Sequence, residues 1–316
     1  MKYLGLDTSN YATSAAVYDS ENNTITGSVK IPLEVKKGSL GLRQSDAVFL
    51  HNKNLPAAFE ELAKQTDITQ VDAVGVSAVP RNVKDSYMPC FLAGTAAAEA
   101  ISYTKGIPLY SFSHQAGHIM AALYGTGFAK AKQKDFAAFH ISGGTTDMLS
   151  CTLDGTKLDI ETVMSSLDLF AGQAVDRVGG MLGFAFPAGE QLSRLANGSD
   201  TNDSAKPTLK ENGCCLSGLE NKCRELIGKG NEPAYVARYC LNSIAAAVSA
   251  MIKHYEQQYG AERDIICAGG VMASVVIRQN LTAMHKNIHF CEPAWLSADN
   301  AAGTAILAAR ARNGHG

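Results

Sequence analysis

Apolar positions alternate along "KYLGLDTSNYATSAAVYD", which predicts two short strands folded about a polar turn at Thr8 to Asn10. The same plan recurs about 135 positions later in "FAAFHISGGTTDMLSCTL", with its turn at Gly143-Gly144. Between them, "NLPAAFEELAKQ" predicts a helix, "VDAVGVSAVP" a buried strand, and "CFLAGTAAAEAISYTKG" an alanine-rich helix ending near Gly106. A proline-bearing strand, "GIPLYSF", follows. Farther on come a helix at "AGQAVDRVGGMLG", a polar stretch from Asn197 to Gly213, and a long helix from about Pro233 to Gln258. The last third predicts a strand "DIICAGGV", a helix near "SVVIRQNLTAMH" and a closing helix "NAAGTAILAARARN". Strands alternating with helices argue for an α/β fold, and the paired hairpins for two lobes on a repeated plan.

Composition adds limits. A chain of 316 residues exceeds the size at which a single core stops growing, about 250–300 residues, which also favours two lobes. Met1 leads straight into a strand with no secretory pattern, and "LNSIAAAVSAMI" is too short and interrupted to span a bilayer, so the expectation is a cytoplasmic protein with no membrane partner. The eight cysteines carry no CxxC spacing and read as buried thiols. A formal charge of −2 provides no global attraction for nucleic acid, so any RNA contact requires a local patch. The basic segment from Lys30 to Arg43 reads as a solvated loop.

Candidate chemistry begins at "SHQAGH". With Ser111 or Ser113 as the helix cap, His114 and His118 fall at i and i+4 on one face, which suits a shared metal ion but equally a helix surface or a satisfied core. The zinc protease motif has the same spacing with a glutamate base after the first histidine. Here that residue is Gln115, whose amide cannot take a proton from water, so peptide hydrolysis is disfavoured. A third ligand must come from elsewhere, and Asp299 in "LSADNAAGTA" is the candidate, with a helix cap as its alternative reading. Two glycine turns, "SGGTTD" and "AGGVMAS", follow apolar strands and could offer backbone N–H groups to a nucleotide. Neither GxxxxGK[ST] nor GxGxxG occurs. Asp168 and Asp176 lie about two helical turns apart, and Asp176 is placed either to bond ribose hydroxyls or to pair with Arg177 or Arg194.

Taken in order, "LGLDTS", "SHQAGH", "HISGGTTDML", "LDLFAGQAVDRVGGMLG", "FPAG", "LSGL", "AGGVMAS" and "SADNAA" resemble the motif series of the TsaD/Gcp family of tRNA threonylcarbamoyladenosine synthases, formerly called O-sialoglycoprotein endopeptidases. The resemblance implies the two-lobed actin/Hsp70/sugar-kinase (ASKHA) fold with a central cleft. The boundaries expected are residues 1–110 for the first lobe, completed by the C-terminal helix 297–316, and 111–296 for the second lobe, carrying the metal and adenylate motifs. It implies transfer of a threonylcarbamoyl group from an adenylate to the adenine next to the anticodon of ANN-decoding tRNA. Cofactors would be one iron or zinc ion on His114, His118 and Asp299, and threonylcarbamoyl-AMP, or ATP or AMP, in the cleft. By motif position His140, Ile141, Ser142, Gly143, Gly144, Asp176, Gly189 and Ser274 would contact the adenylate. Implied partners are tRNA, an actin-like paralogous subunit and a P-loop ATPase subunit.

The chain also departs from that family's pattern. Asn10, Tyr11 and Ala12 stand where an acidic pair is usual, Ser274 replaces an asparagine, and Glu220 replaces a lysine. "PRNVKDSYMPCF" replaces a glycine-rich loop after the second buried strand. Two other readings therefore accompany the transferase: a divergent paralogue serving another acceptor or a scaffold role, and a kinase or ATPase of the same fold.

Overall fold

The computed structural model describes residues 1–9, 11–34, 42–127, 135–155, 157–211, 213–260, 263–293, 295–296 and 300–313. The chain divides into two compact units, residues 1–132 with 153–159 and 298–316, and residues 133–152 with 160–297.

The first unit is built on a five-stranded sheet in the order β3-β2-β1-β4-β5. β1 (Lys2–Ser9) and β2 (Ala12–Asp19) form the N-terminal hairpin, antiparallel from Lys2↔Asp19 to Ser9↔Ala12. β3 (Thr24–Pro32) extends it at one edge. β4 (Ala73–Val79) and β5 (Leu109–Ser113) run parallel to β1 on the other side. Parallel neighbours need helical crossovers. α1 (Gln44–Gln65) supplies one, and α2 (Phe91–Lys105) the next, ending on Gly106 in the left-handed conformation that glycine tolerates (φ 65°). Leu4, Leu6, Ala15, Val17, Leu62, Val74, Val76 and Ala98 form this unit's core, and each larger side chain contributes about 1.5–3 kcal/mol by burial.

The first unit also contains α3 (His114–Gly125) and the closing helix α9 (Asn300–Asn313). α3 was expected to open the second lobe after residue 110, but the division falls at residue 132. The physical reason is a close crossing of α3 and α9: a methyl group on Gly303 would lie 1.8 Å from the carbonyl oxygen of Gly117. No larger residue fits there, so α3 is locked to the helix that packs on β1.

The second unit holds a seven-stranded sheet in the order β12-β11-β6-β7-β8-β10-β9. Its centre is the second hairpin, β6 (Asp135–Ile141) and β7 (Thr146–Asp154), beside β8 (Lys157–Ser166). β9 (Thr208–Lys210) and β10 (Gly213–Cys215) close one side, and β11 (Ile265–Ala268) and β12 (Ile288–Phe290) the other. α4 (Ala171–Met181), α5 (Gly189–Ala196), α6 (Ser217–Gly228), α7 (Pro233–Tyr259) and α8 (Val275–Met284) complete the unit. α7 is long and apolar enough to cross a membrane, yet most of it is buried as this unit's core helix, with Val236, Ile244, Val248, Met251 and Ile252 fully packed. The cysteines are free thiols, all buried except the half-exposed Cys215, and burial pushes Cys90 up to about 12.

Candidate functional site

Each unit brings a set of the expected residues together. In the first unit, Ser113 caps α3, its Oγ accepting the N–H of Ala116 at 3.1 Å. That fixes the first helical turn, on which His114 sits. Its Nδ1 lies 2.8 Å from Oδ2 of Asp7, at the end of β1, and its ring meets that of His118 edge-on, with centroids 4.5 Å apart. His118 is 8% exposed. Asn300, the first residue of α9, donates Nδ2 to the same Asp7 oxygen at 2.7 Å and lies against His114 Nδ1. Burial of Asp7 opposes its ionisation, but the adjoining His114, with hydrogen bonds from Ser77 and Ser9, holds its carboxyl well below the ordinary range. Gly117, between the two histidines, leaves room for the Asn300 side chain: a methyl group there would fall 1.9 Å from Asn300 Oδ1.

This arrangement suits a metal. A carboxylate beside one ring nitrogen is the usual setting of a metal-binding histidine, and Asp7 stands beside Nδ1 of His114 in that way. Among the described residues, no three His, Cys, Asp or Glu side chains form a complete ligand group. Asp299, the expected third ligand, lies outside the described residues. Sequence reasoning missed Asp7 and Asn300 as neighbours of His114. Asp7 stands in the quoted "LGLDTS" and Asn300 directly follows Asp299, but only the fold joins positions 107 and 186 residues apart.

In the second unit, β11 runs parallel to β6 with Ala268 opposite His140, so both glycine turns leave the sheet at the same end. His140 and Ile141 are buried in β6, while Ser142 is half-exposed and Gly143 and Gly144 are exposed. The first turn is braced from within: Ser142 N donates to Thr145 O at 2.9 Å and Gly144 N to Ser142 Oγ at 3.2 Å. It is braced from below by α4, where Gly172 N donates to Ser142 O at 3.2 Å and Ala171 N to Thr146 Oγ1 at 2.8 Å. A methyl group on Gly172 would lie 2.5 Å from Ser142 O, whereas one on Gly143, Gly144 or Gly270 would meet nothing within 4 Å. The underside of the turn is tightly packed and its outer face is open.

Asp176, Gly189 and Ser274 connect to this turn through α4, α5 and α8. Asp176 Oδ1 accepts the N–H of Ala188 at 2.8 Å, which sets the start of α5 at Gly189. Ser193, one turn on, shares a 2.9 Å hydrogen bond with Ser274 at the start of α8. Burial raises the Asp176 carboxyl above its ordinary value. Neighbouring arginines pair with other acids, Arg177 with Glu220 at 2.7 Å and Arg194 with Glu190 at 2.6 Å. Asp168 has a different task. Its carboxylate accepts from Leu216 N at 2.7 Å and Ser217 Oγ at 2.6 Å, capping α6.

The divergent positions are also structural. Glu220 bonds Arg177 and Arg224, each at 2.7 Å, and these arginines hold its carboxyl below the usual range although partial burial acts against them. Tyr11 is exposed, Ala12 is buried, and Thr13 Oγ1 lies 2.9 Å from Nδ1 of the buried His51.

Two α/β units of this kind have the fold of actin, Hsp70 chaperones and sugar kinases. It is similar over its whole length to the activator of the 2-hydroxyisocaproyl-CoA dehydratase from Clostridium difficile, solved with bound ADPNP (TM-score 0.57, 14% identity, 100% of this chain and 97% of that one). It is similar also to a ROK family glucokinase from Streptomyces griseus, solved with glucose and AMPPNP (TM-score 0.52, 14% identity, 98% of this chain and 100% of that one). Within that fold the chain belongs to the TsaD family, described as tRNA N6-adenosine threonylcarbamoyltransferase, whose pattern it matches over residues 36–306. A relative of that name from Streptococcus pneumoniae is 27% identical over 308 residues, covering 94% of this chain and 88% of the relative.

Proposed function

We propose that this protein transfers a threonylcarbamoyl group from threonylcarbamoyl-adenylate to the adenine next to the anticodon of ANN-decoding tRNA, as its family membership suggests. The observation that carries the reading is the open glycine turn at Gly143-Gly144, closed beneath by α4 and tied through Asp176 and Ser193 to Gly189 and Ser274. A main chain open on one face lets phosphate oxygens approach its N–H groups, and a carboxylate at Asp176 suits ribose hydroxyls. In the first unit, His114 and His118, with Asp299 expected as the third ligand, would hold one iron or zinc ion. A metal bound there supplies Lewis acidity toward the carbamoyl carbonyl. The protein's own residues orient the reactants: the adenine N6 amine attacks the carbamoyl carbon, the bond to the phosphate oxygen breaks, AMP leaves, and the amine loses a proton. No side-chain nucleophile takes part, and Gln115, buried on α3, offers no base for water.

The proposed partners are tRNA, an actin-like paralogous subunit and a P-loop ATPase subunit, and the proposed compartment is the cytoplasm. A second reading, a paralogue serving another acceptor, is favoured by Glu220, whose pairing with Arg177 and Arg224 puts a buttressed acid where the family pattern has a lysine. Complementation of a strain depleted of its own transferase separates the two. The first reading expects threonylcarbamoyladenosine to return in bulk tRNA; growth without the modified nucleoside would assign the chain to the second.

A further inference from the structure

We propose that the first unit carries a separate binding site, a cavity between the turn after β2 and the far ends of α3 and α9, which takes a small organic carboxylate with an apolar body. It goes beyond the transferase reading and lies apart from the histidine cluster. Arg310, which lines it, stands at the other end of α9 from Asn300, about 15 Å along the helix.

The cavity has a volume of about 330 Å³, at the small end of the ~300–1,000 Å³ typical of small-molecule sites. One wall is the turn from β2 to β3. Asn23 there adopts the left-handed conformation (φ 51°), which asparagine tolerates better than most side chains. Two tyrosines hold it in place: Tyr18 Oη donates to Asn23 Oδ1 at 2.7 Å and Tyr124 Oη to Asn23 O at 2.8 Å. With those O–H donors engaged, the tyrosines offer the cavity their rings, which meet edge-to-face with centroids 6.1 Å apart. Ile306 and Ala309 add apolar surface from α9. Among the described residues, Arg310 is the only charged side chain in the lining.

That guanidinium carries the choice of ligand. Its Nη1 donates to Gly155 O at 3.0 Å, a neutral acceptor that leaves the positive charge in place, and partial burial lowers its pKa without discharging it. The acids nearest in the turn, Asp19 and Glu21, lie 3.8 and 2.8 Å from the N-terminal amine, which answers their charge. A half-buried cation attracts an anion more strongly than one in open water, and the planar fork of an arginine matches a carboxylate through two parallel hydrogen bonds. A bare anion would leave the rings and Ile306 against water, so an apolar body attached to the carboxylate adds burial that inorganic phosphate lacks.

The test uses the full-length protein with carbon-13 in its isoleucine δ1 methyl groups, the Ile306 signal being assigned from Ile306→Val. Benzoate is the probe, benzamide its neutral counterpart of the same shape, and inorganic phosphate the bare anion. At constant ionic strength benzoate should move the Ile306 signal saturably, with half-saturation at about millimolar concentration, and benzamide should bind about tenfold more weakly or worse. Arg310→Gln should cost benzoate about tenfold and leave benzamide unchanged. No saturable shift in the unsubstituted protein, or equal binding of benzoate and benzamide, overturns the proposal whether or not the variant folds. Phosphate bound as tightly as benzoate overturns the carboxylate class. A basic side chain in the last turn of α9 also offsets the helix dipole. Were that the whole task of Arg310, a folded Arg310→Gln variant would melt lower yet bind benzoate as the parent does, and the proposal would fall.

Discussion

The two candidate regions are built by opposite means. The histidine cluster of the first unit consists of charged and polar side chains sunk in the core and joined across long stretches of chain, Asp7 to His114 and Asp7 to Asn300. The glycine turn of the second unit consists of exposed main chain, held by neighbours such as Gly172 and Thr146 within about 30 residues and left open outward. The first kind of site holds a histidine ring against a buried carboxylate, the setting in which histidines bind metals. The second presents a row of donors with no side chain in the way, which a phosphate requires. Damage to one should therefore read out differently from damage to the other.

The largest contrast comes from replacing His114 and His118 by alanine. Bound iron or zinc, about one per chain in the parent protein, should fall below detection by elemental analysis, while adenine nucleotide binding stays within about twofold. Gly172→Ala is the reciprocal change. Its methyl group must displace the Ser142 carbonyl or α4, costing about 1–3 kcal/mol in denaturant unfolding and most of the nucleotide affinity, with metal content retained.

Asp176→Asn is smaller and separates stability from function. Because burial raises this carboxyl, the stability it contributes is present below the ordinary aspartate pKa and is lost as pH rises through the raised one. The parent should therefore lose ground to the asparagine variant as pH climbs from about 4, and the variant should melt no lower at pH 7. Its nucleotide affinity should nonetheless drop about 10- to 100-fold, the worth of a charged hydrogen bond. Glu220→Gln is the smallest, below about 1 kcal/mol, because both arginine partners are half-exposed. A large loss of nucleotide affinity in that variant would extend the second region to α6.

What the sequence made legible follows the same division. Both hairpins, the helix at "SHQAGH" with Ser113 as its cap, and the closing helix from Asn300 to Asn313 match local periodicity and capping chemistry. β3 was hidden because its burial is irregular along an edge strand, and the first half of α1 because its buried stripe, Ala47, His51, Leu55, Ala58 and Leu62, is interrupted by a histidine. In the second unit, short elements such as β10 and α5 take their place from contacts rather than pattern, α5 from the Asp176 bond to Ala188. Asp168 and Asp176 lie about two helical turns apart, yet one caps α6 and the other sets α5, a distinction that depends on which backbone amides the fold delivers. Asp7 sat in a quoted motif without a role because its partners lie far along the chain.

The proposed chemistry of both regions converges on the modification of tRNA. The direct measurement is mass spectrometry of nucleosides from the tRNA of a transferase-depleted strain carrying either this chain or its His114→Ala variant. A tRNA-modifying chain restores threonylcarbamoyladenosine with the parent and not with the variant. Modified nucleoside absent with both, from chains that are folded and expressed, would contradict it.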